Sequence, residues 1–130
     1  MKKLLLLFVL LFSITAFSQE VSNQESKDII YDKVDVSAQL PGGMDAFRNE
    51  FMKTFDSSKL KNNGTFSTVI TFIVDENGIL SQVLATGKND TLNTEAVRTV
   101  KKMKNKWTPG MVDGKPVKSR FKFPLTMNIQ

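Results

Sequence analysis

Apolar residues recur along this chain with two periods, and each change of period marks a new element. Met44, Phe47, Phe51, Met52 and Phe55 fall on one stripe of a 3.6-residue repeat, which predicts a helix from Met44 to about Phe55 with that stripe turned to the core. From Phe66 to Val74 the period becomes two: Phe66, Ile70, Phe72 and Val74 share one face, while Ser67, Val69, Thr71 and Ile73 share the other. That run carries neither charge nor proline, so it belongs in the middle of a sheet. Asp75-Glu76-Asn77-Gly78 then separates it from a second β-rich run, Ile79 to about Thr86, and Asn-Gly in that position is a hairpin signal. Leu92, Ala96, Val100 and Met103 restore the helical period, with Asp90, Thr91 or Asn93 as candidate caps. In the last segment Val117, Phe121, Phe123, Leu125, Met127 and Ile129 alternate with Lys118, Arg120, Lys122, Thr126 and Asn128, the pattern of a long strand with one buried face.

The residues between these runs set their arrangement. Val34 to Leu40 is semi-extended and stops at Pro41-Gly42-Gly43, Trp107-Thr108-Pro109-Gly110 ends the second helix, and Asp113-Gly114-Lys115-Pro116 turns the chain once more. Pro124 interrupts the final strand, and since proline donates no ladder hydrogen bond the strand belongs at a sheet edge or contains a bulge. With the uncharged strand central, the expected fold is α+β: two helices packed on a three-stranded antiparallel sheet of order 2-1-3, the second helix serving as the crossover.

The N-terminus changes the setting. Lys2 and Lys3 precede an apolar run from Leu4 that Ser13 and Thr15 interrupt, and Ala16-Phe17-Ser18 supplies small residues after it. This is the layout of a signal peptide cleaved near Ser18, and the run is short of the ~20 apolar residues of a spanning anchor, which is the competing reading. Residues 1–18 are thus expected to be a signal peptide, 19–33 a flexible leader and 34–130 one domain, exported to the periplasm. The chain has no cysteine and no histidine. An exported domain of this kind stands without disulfides, has no cysteine for a lipid, and lacks both the commonest transition-metal ligand and the base of a Ser-His mechanism. No catalytic residues, metal ligands or cofactor are expected. The acidic hairpin tip at Asp75 could suggest calcium, but the twelfth residue from it is Thr86 where an EF-hand needs glutamate, so a plain turn is the expectation. Nine basic residues lie between Arg98 and Lys122 against one acid, Asp113, whereas Glu20 to Asp35 is acid-rich. A solvated helix end plus a protected strand edge accounts for the basic cluster, and contact with an acidic partner, a membrane surface or the cell wall is the functional reading. Nucleic acid is not expected, because no aromatic platform is interleaved with the cations.

Taken in order, Leu40-Pro41-Gly42-Gly43, Val69-Ile70-Thr71-Phe72-Ile73-Val74-Asp75 with Asn77-Gly78, Glu95-Ala96-Val97-Arg98, Lys106-Trp107-Thr108-Pro109-Gly110, Gly114-Lys115-Pro116-Val117 and Phe123-Pro124-Leu125 resemble the TonB C-terminal domain family in its Bacteroidota-type form. The resemblance covers about residues 34 to 130, and the absence of histidine and of a long proline-rich spacer points to a stand-alone periplasmic member. It implies a domain that binds TonB-dependent outer-membrane transporters or another envelope protein by adding a partner strand to an open sheet edge. The element corresponding to that edge is Ser119, Arg120, Phe121, Lys122, Phe123, Pro124 and Leu125. The alternative is a cell-wall or envelope-associated structural or adaptor protein that contacts peptidoglycan and takes no part in transport, and a homodimer that covers the edge fits the same pattern.

Overall fold

The computed structural model describes residues 29–103 and 106–130, so the expected signal peptide, most of the leader and Lys104 lie outside the described residues. Helix α1 spans Gly43–Thr54, a 3₁₀ turn follows at Ser57–Lys59, strand β1 runs Gly64–Val74 and β2 Leu80–Gly87. Helix α2 is Asp90–Lys102, the short strands β3 and β4 are Gly110–Val112 and Lys115–Val117, and β5 is Ser119–Ile129. The main sheet has the order β2-β1-β5 with both pairings antiparallel, and β3 and β4 form a separate two-stranded ribbon. The expected architecture is therefore present, with β5 as the third strand of the predicted order.

Phe47 of α1 sits at the centre of the core. Its ring lies 4.9 Å from Phe123, 5.7 Å from Phe121, 5.5 Å from Trp107 and 6.3 Å from Phe72, centroid to centroid. One helical side chain thus ties α1 to β1, to β5 and to the loop after α2. Burying a side chain of this size contributes about 3 kcal/mol. From α2, Leu92, Ala96 and Val100 complete the same cluster.

Two expectations are corrected here. Met44 and Met52 do not face the core: they are 42% and 53% exposed, and only Phe47, Phe51 and Phe55 of the predicted stripe are buried. The arc joining all five is wider than the surface that the sheet covers, and the methionines fall outside it. The cap of α2 is Asn89, not Asp90, Thr91 or Asn93, for its side-chain oxygen accepts the Leu92 N–H at 3.0 Å.

Both prolines of the C-terminal segment sit where no ladder needs a donor. Pro116 faces Met111, whose N–H and C=O bond to Val36 on the other side. Pro124 faces Val69, and it shares the parity of Arg120, whose N–H donates outward to the Tyr31 carbonyl, so its peptide group turns away from β1. The hairpin tip is a closed turn: the Asp75 carboxylate accepts the N–H groups of Asn77 and Ile79 at 2.8 and 2.9 Å, so it serves the backbone. Among the described residues no cluster of acids, histidines or cysteines is arranged to hold a metal, and no helix is long and apolar enough to cross a membrane.

Candidate functional site

The sequence motifs that lie far apart in the chain meet behind the β5 edge. Gly42 and Gly43 both have positive φ, 94° and 76°, and let the chain turn from Leu40 directly into α1. Gln39 and Thr108 exchange two backbone hydrogen bonds of 3.0 and 2.7 Å, and the Trp107 N–H donates to the Gly78 carbonyl at 3.3 Å. The Leu-Pro-Gly-Gly turn, the Trp-Thr-Pro-Gly segment and the Asn-Gly hairpin therefore form one framework, which fixes α1 beside β5.

The free edge itself follows from the pattern of backbone bonds. Tyr31 forms a parallel bridge with Ser119: its N–H donates to Lys118 O at 2.9 Å, and Arg120 N–H donates to Tyr31 O at 3.0 Å. Peptide groups alternate in direction along a strand, so the even-numbered residues of β5 point outward and the odd-numbered ones point to β1. Beyond Arg120, the outward groups of Lys122, Pro124, Thr126 and Asn128 meet no strand among the described residues. Lys122, Thr126 and Asn128 offer donors there, and Pro124 leaves a gap between them.

The side chains of the predicted residues divide accordingly. Ser119 is buried against Gly110, where there is no room for a methyl group, because an added Cβ would lie 2.8 Å from the serine hydroxyl. Arg120 is engaged by Asp32 through Nη1 at 2.9 Å. Phe121, Phe123 and Leu125 lean toward α1, and Lys122 and Pro124 lie on the exposed outer face. The structure thus brings these seven residues to one edge, gives the first two existing partners, and extends the unpaired stretch to Thr126 and Asn128, which the sequence reading omitted.

Alongside this edge, α1 presents Met44, Arg48 and Met52, spaced four residues apart on one face. Met44 borders a cleft of about 650 Å³ with Leu40, Phe47, Phe121 and Lys122. Met52 and Arg48 border a smaller one of about 250 Å³ with Phe123, Pro124 and Leu125. The Arg48 guanidinium stands 6.0 Å above the Phe123 ring. Exposed methionine is flexible and polarisable, and fits varied side chains. The signal for this wall was the spacing of Met44, Arg48 and Met52, which the overlapping phenylalanine stripe concealed.

Comparison with family models finds a match to the Gram-negative bacterial TonB protein C-terminal family over residues 58–129, more than half of the chain. The chain belongs to the TonB C-terminal family. Members form a periplasmic, non-catalytic protein-interaction domain that in general engages outer-membrane receptors. The matched span of this TonB-family chain contains β1, β2, α2 and all of β5, and so includes the free edge, while α1 and the Met44 and Met52 wall precede it. Neither the curated proteins nor the solved structures gave a match.

Away from the edge, a buried charge cluster holds the elements together. Glu95 of α2 is 2% exposed and receives Arg98 Nε at 2.8 and 3.0 Å, Arg98 Nη2, and the Asp56 N–H at 2.9 Å. Arg98 also donates to Thr54 O at 2.9 Å, so the end of α1 is fastened to α2. The hydrogen bond from Arg98, foremost, holds the Glu95 carboxyl below the usual range, against the opposing effect of burial and with help from the Asp56 N–H. Every acceptor in this cluster has an internal partner, which marks it as scaffold.

Proposed function

We propose that this chain is a periplasmic TonB-like binding module associated with TonB-dependent transport across the outer membrane, and that it takes an extended segment of a partner onto β5 by strand addition. On this reading residues 1–18 are a cleaved signal peptide, 19–33 a leader and 34–130 the binding domain. The observation that carries it is the run of outward peptide groups from Lys122 to Asn128, flanked by an apolar groove. Each hydrogen bond made there contributes about 1 kcal/mol net, so a few bonds plus side-chain contacts give an attachment that can also release.

The test uses the wild-type chain and a Thr126→Pro variant as baits for a detergent extract of outer membranes. Thr126 turns its peptide group outward, so proline there deletes an edge donor and leaves the β1 ladder intact. Transporters retained by the wild type and lost by the variant support strand addition. Equal recovery of peptidoglycan by both baits, released by salt, would instead assign the chain to the cell wall.

A further inference from the structure

The edge and its surroundings also specify the side chains of whatever docks, an inference that rests on the strand-addition reading above. Across the outer face of the sheet, Arg120 and Lys122 stand opposite Ile73 and Thr71 of β1, with Leu84 of β2 beyond Thr71. The flanking residues on that face are Thr65, Ser67, Val69 and Thr86, none of them acidic. The carboxylate that reaches it among the described residues is Asp32, bound to Arg120. Lys122, and Arg48 on the groove side, have no carboxylate within ion-pair distance among the described residues.

Tyr31 and Asp32 display in miniature what this edge accepts. Tyr31 adds its backbone at Ser119, and Asp32 next to it sets a carboxylate on Arg120. A longer added strand would continue the same two interactions past the point where the chain's own segment leaves. Side chains of a strand alternate between faces, so one set would enter the groove between α1 and β5 and the other would lie over the outer face.

We infer that the edge selects an acidic extended segment of a partner protein, with apolar side chains directed between Met44 or Met52 and Phe121 or Leu125, and an aspartate or glutamate beside Lys122. The rival account is that Lys118, Arg120 and Lys122 repel strands and keep the edge bare. The two differ in outcome: repulsion refuses every strand, whereas selection admits acidic ones.

The experiment titrates the ¹⁵N-labelled full chain with three end-blocked peptides that alternate threonine and valine and differ only in the central threonine, replaced by aspartate, asparagine or lysine. Backbone amide shifts at Lys122, Thr126 and Asn128 report occupation of the edge. The expected affinity order is aspartate, asparagine, lysine, with about five-fold between the first two in dilute buffer, a gap of the size exposed ion pairs give. The gap closes near 0.5 M salt, roughly, where the Debye length falls to a few ångströms. Lys122→Glu, whose amide spectrum otherwise confirms the fold, reverses the order. Equal affinities with the edge amides shifting would overturn acid selection and leave strand addition standing. Absence of shifts at these amides with all three peptides overturns strand addition itself. If the same amides shift with protein concentration alone, the occupant is a second copy and the inference fails.

Discussion

At the scale of single residues, two glycines with nearly equal backbone angles separate strain from crowding. Gly78 has φ 80° and Gly114 φ 75°, so alanine is strained at both. A Cβ on Gly78 would lie 2.0 Å from the Trp107 carbonyl oxygen, while one on Gly114 meets nothing within 4 Å. Gly114→Ala should therefore cost about 1 kcal/mol, the left-handed penalty alone. Gly78→Ala must also push the hairpin off the Trp107 segment and should cost about 3 kcal/mol or more in urea unfolding. Equal losses would show that the contact between the two motifs is slack. Glu95 offers a second residue-scale prediction, this time in pH. Its folded pKa is depressed, so its contribution is complete above the unfolded value of about 4.3 and is lost as the pH falls through the folded value. Glu95→Gln should cost about 2 kcal/mol at neutral pH, and the difference from wild type should shrink as the pH drops below about 4. A gap that stays constant down to pH 2, roughly, would mean that Arg98 gains nothing from the charge of Glu95.

At the scale of elements, the parity of β5 makes a prediction that composition alone does not. Phe123 and Thr126 are both strand residues, yet the first turns its peptide group to β1 and the second turns it outward. Phe123→Pro should unfold the sheet, removing a ladder bond and a core aromatic at a combined cost of about 4 kcal/mol or more. Thr126→Pro should cost about 1 kcal/mol, including its 2.8 Å contact with the Ser67 hydroxyl. Circular dichroism melts of the two variants measure the contrast, and similar melting temperatures would show that the assigned parity is wrong. The long elements were legible in the sequence because each carries its own period: Phe66 to Val74 and Val117 to Ile129 alternate, and Leu92 to Met103 repeats every turn. Strands β3 and β4 were not, because three residues are too few to display a period and their order depends on Val36, which bonds Met111 from far away in the chain. The groove was hidden for a related reason. Met44 and Met52 match the helical repeat as well as Phe47 does, and only the placement of β5 decides which side chains are covered.

At the scale of the whole molecule, the N-terminal segment and a partner strand meet the same edge. Tyr31 holds the outward groups of Lys118 and Arg120, and the Asp32 ion pair with Arg120 keeps it there, although both charged side chains are largely exposed. An exposed pair of this kind contributes at most about 1 kcal/mol, and two backbone bonds at a strand end contribute about as much each. The attachment is therefore weak enough to open without unfolding the domain, whose core around Phe47 contains neither residue. Asp32→Lys replaces attraction by repulsion at Arg120. It should accelerate hydrogen exchange of the Arg120 amide by about five- to ten-fold, with the Phe121 and Phe123 amides unaffected and the melting temperature unchanged. Opening at Tyr31 lengthens the unpaired edge by one donor, the Arg120 N–H, and one acceptor, the Lys118 carbonyl, so an added strand gains register positions that the wild-type chain withholds. In the peptide titration the same variant should then bind the asparagine-centred peptide more tightly than wild type does, by about two- to five-fold. Faster exchange at Arg120 without tighter binding would mean that the partner strand ends before Arg120, and that Tyr31 caps the edge without competing for it.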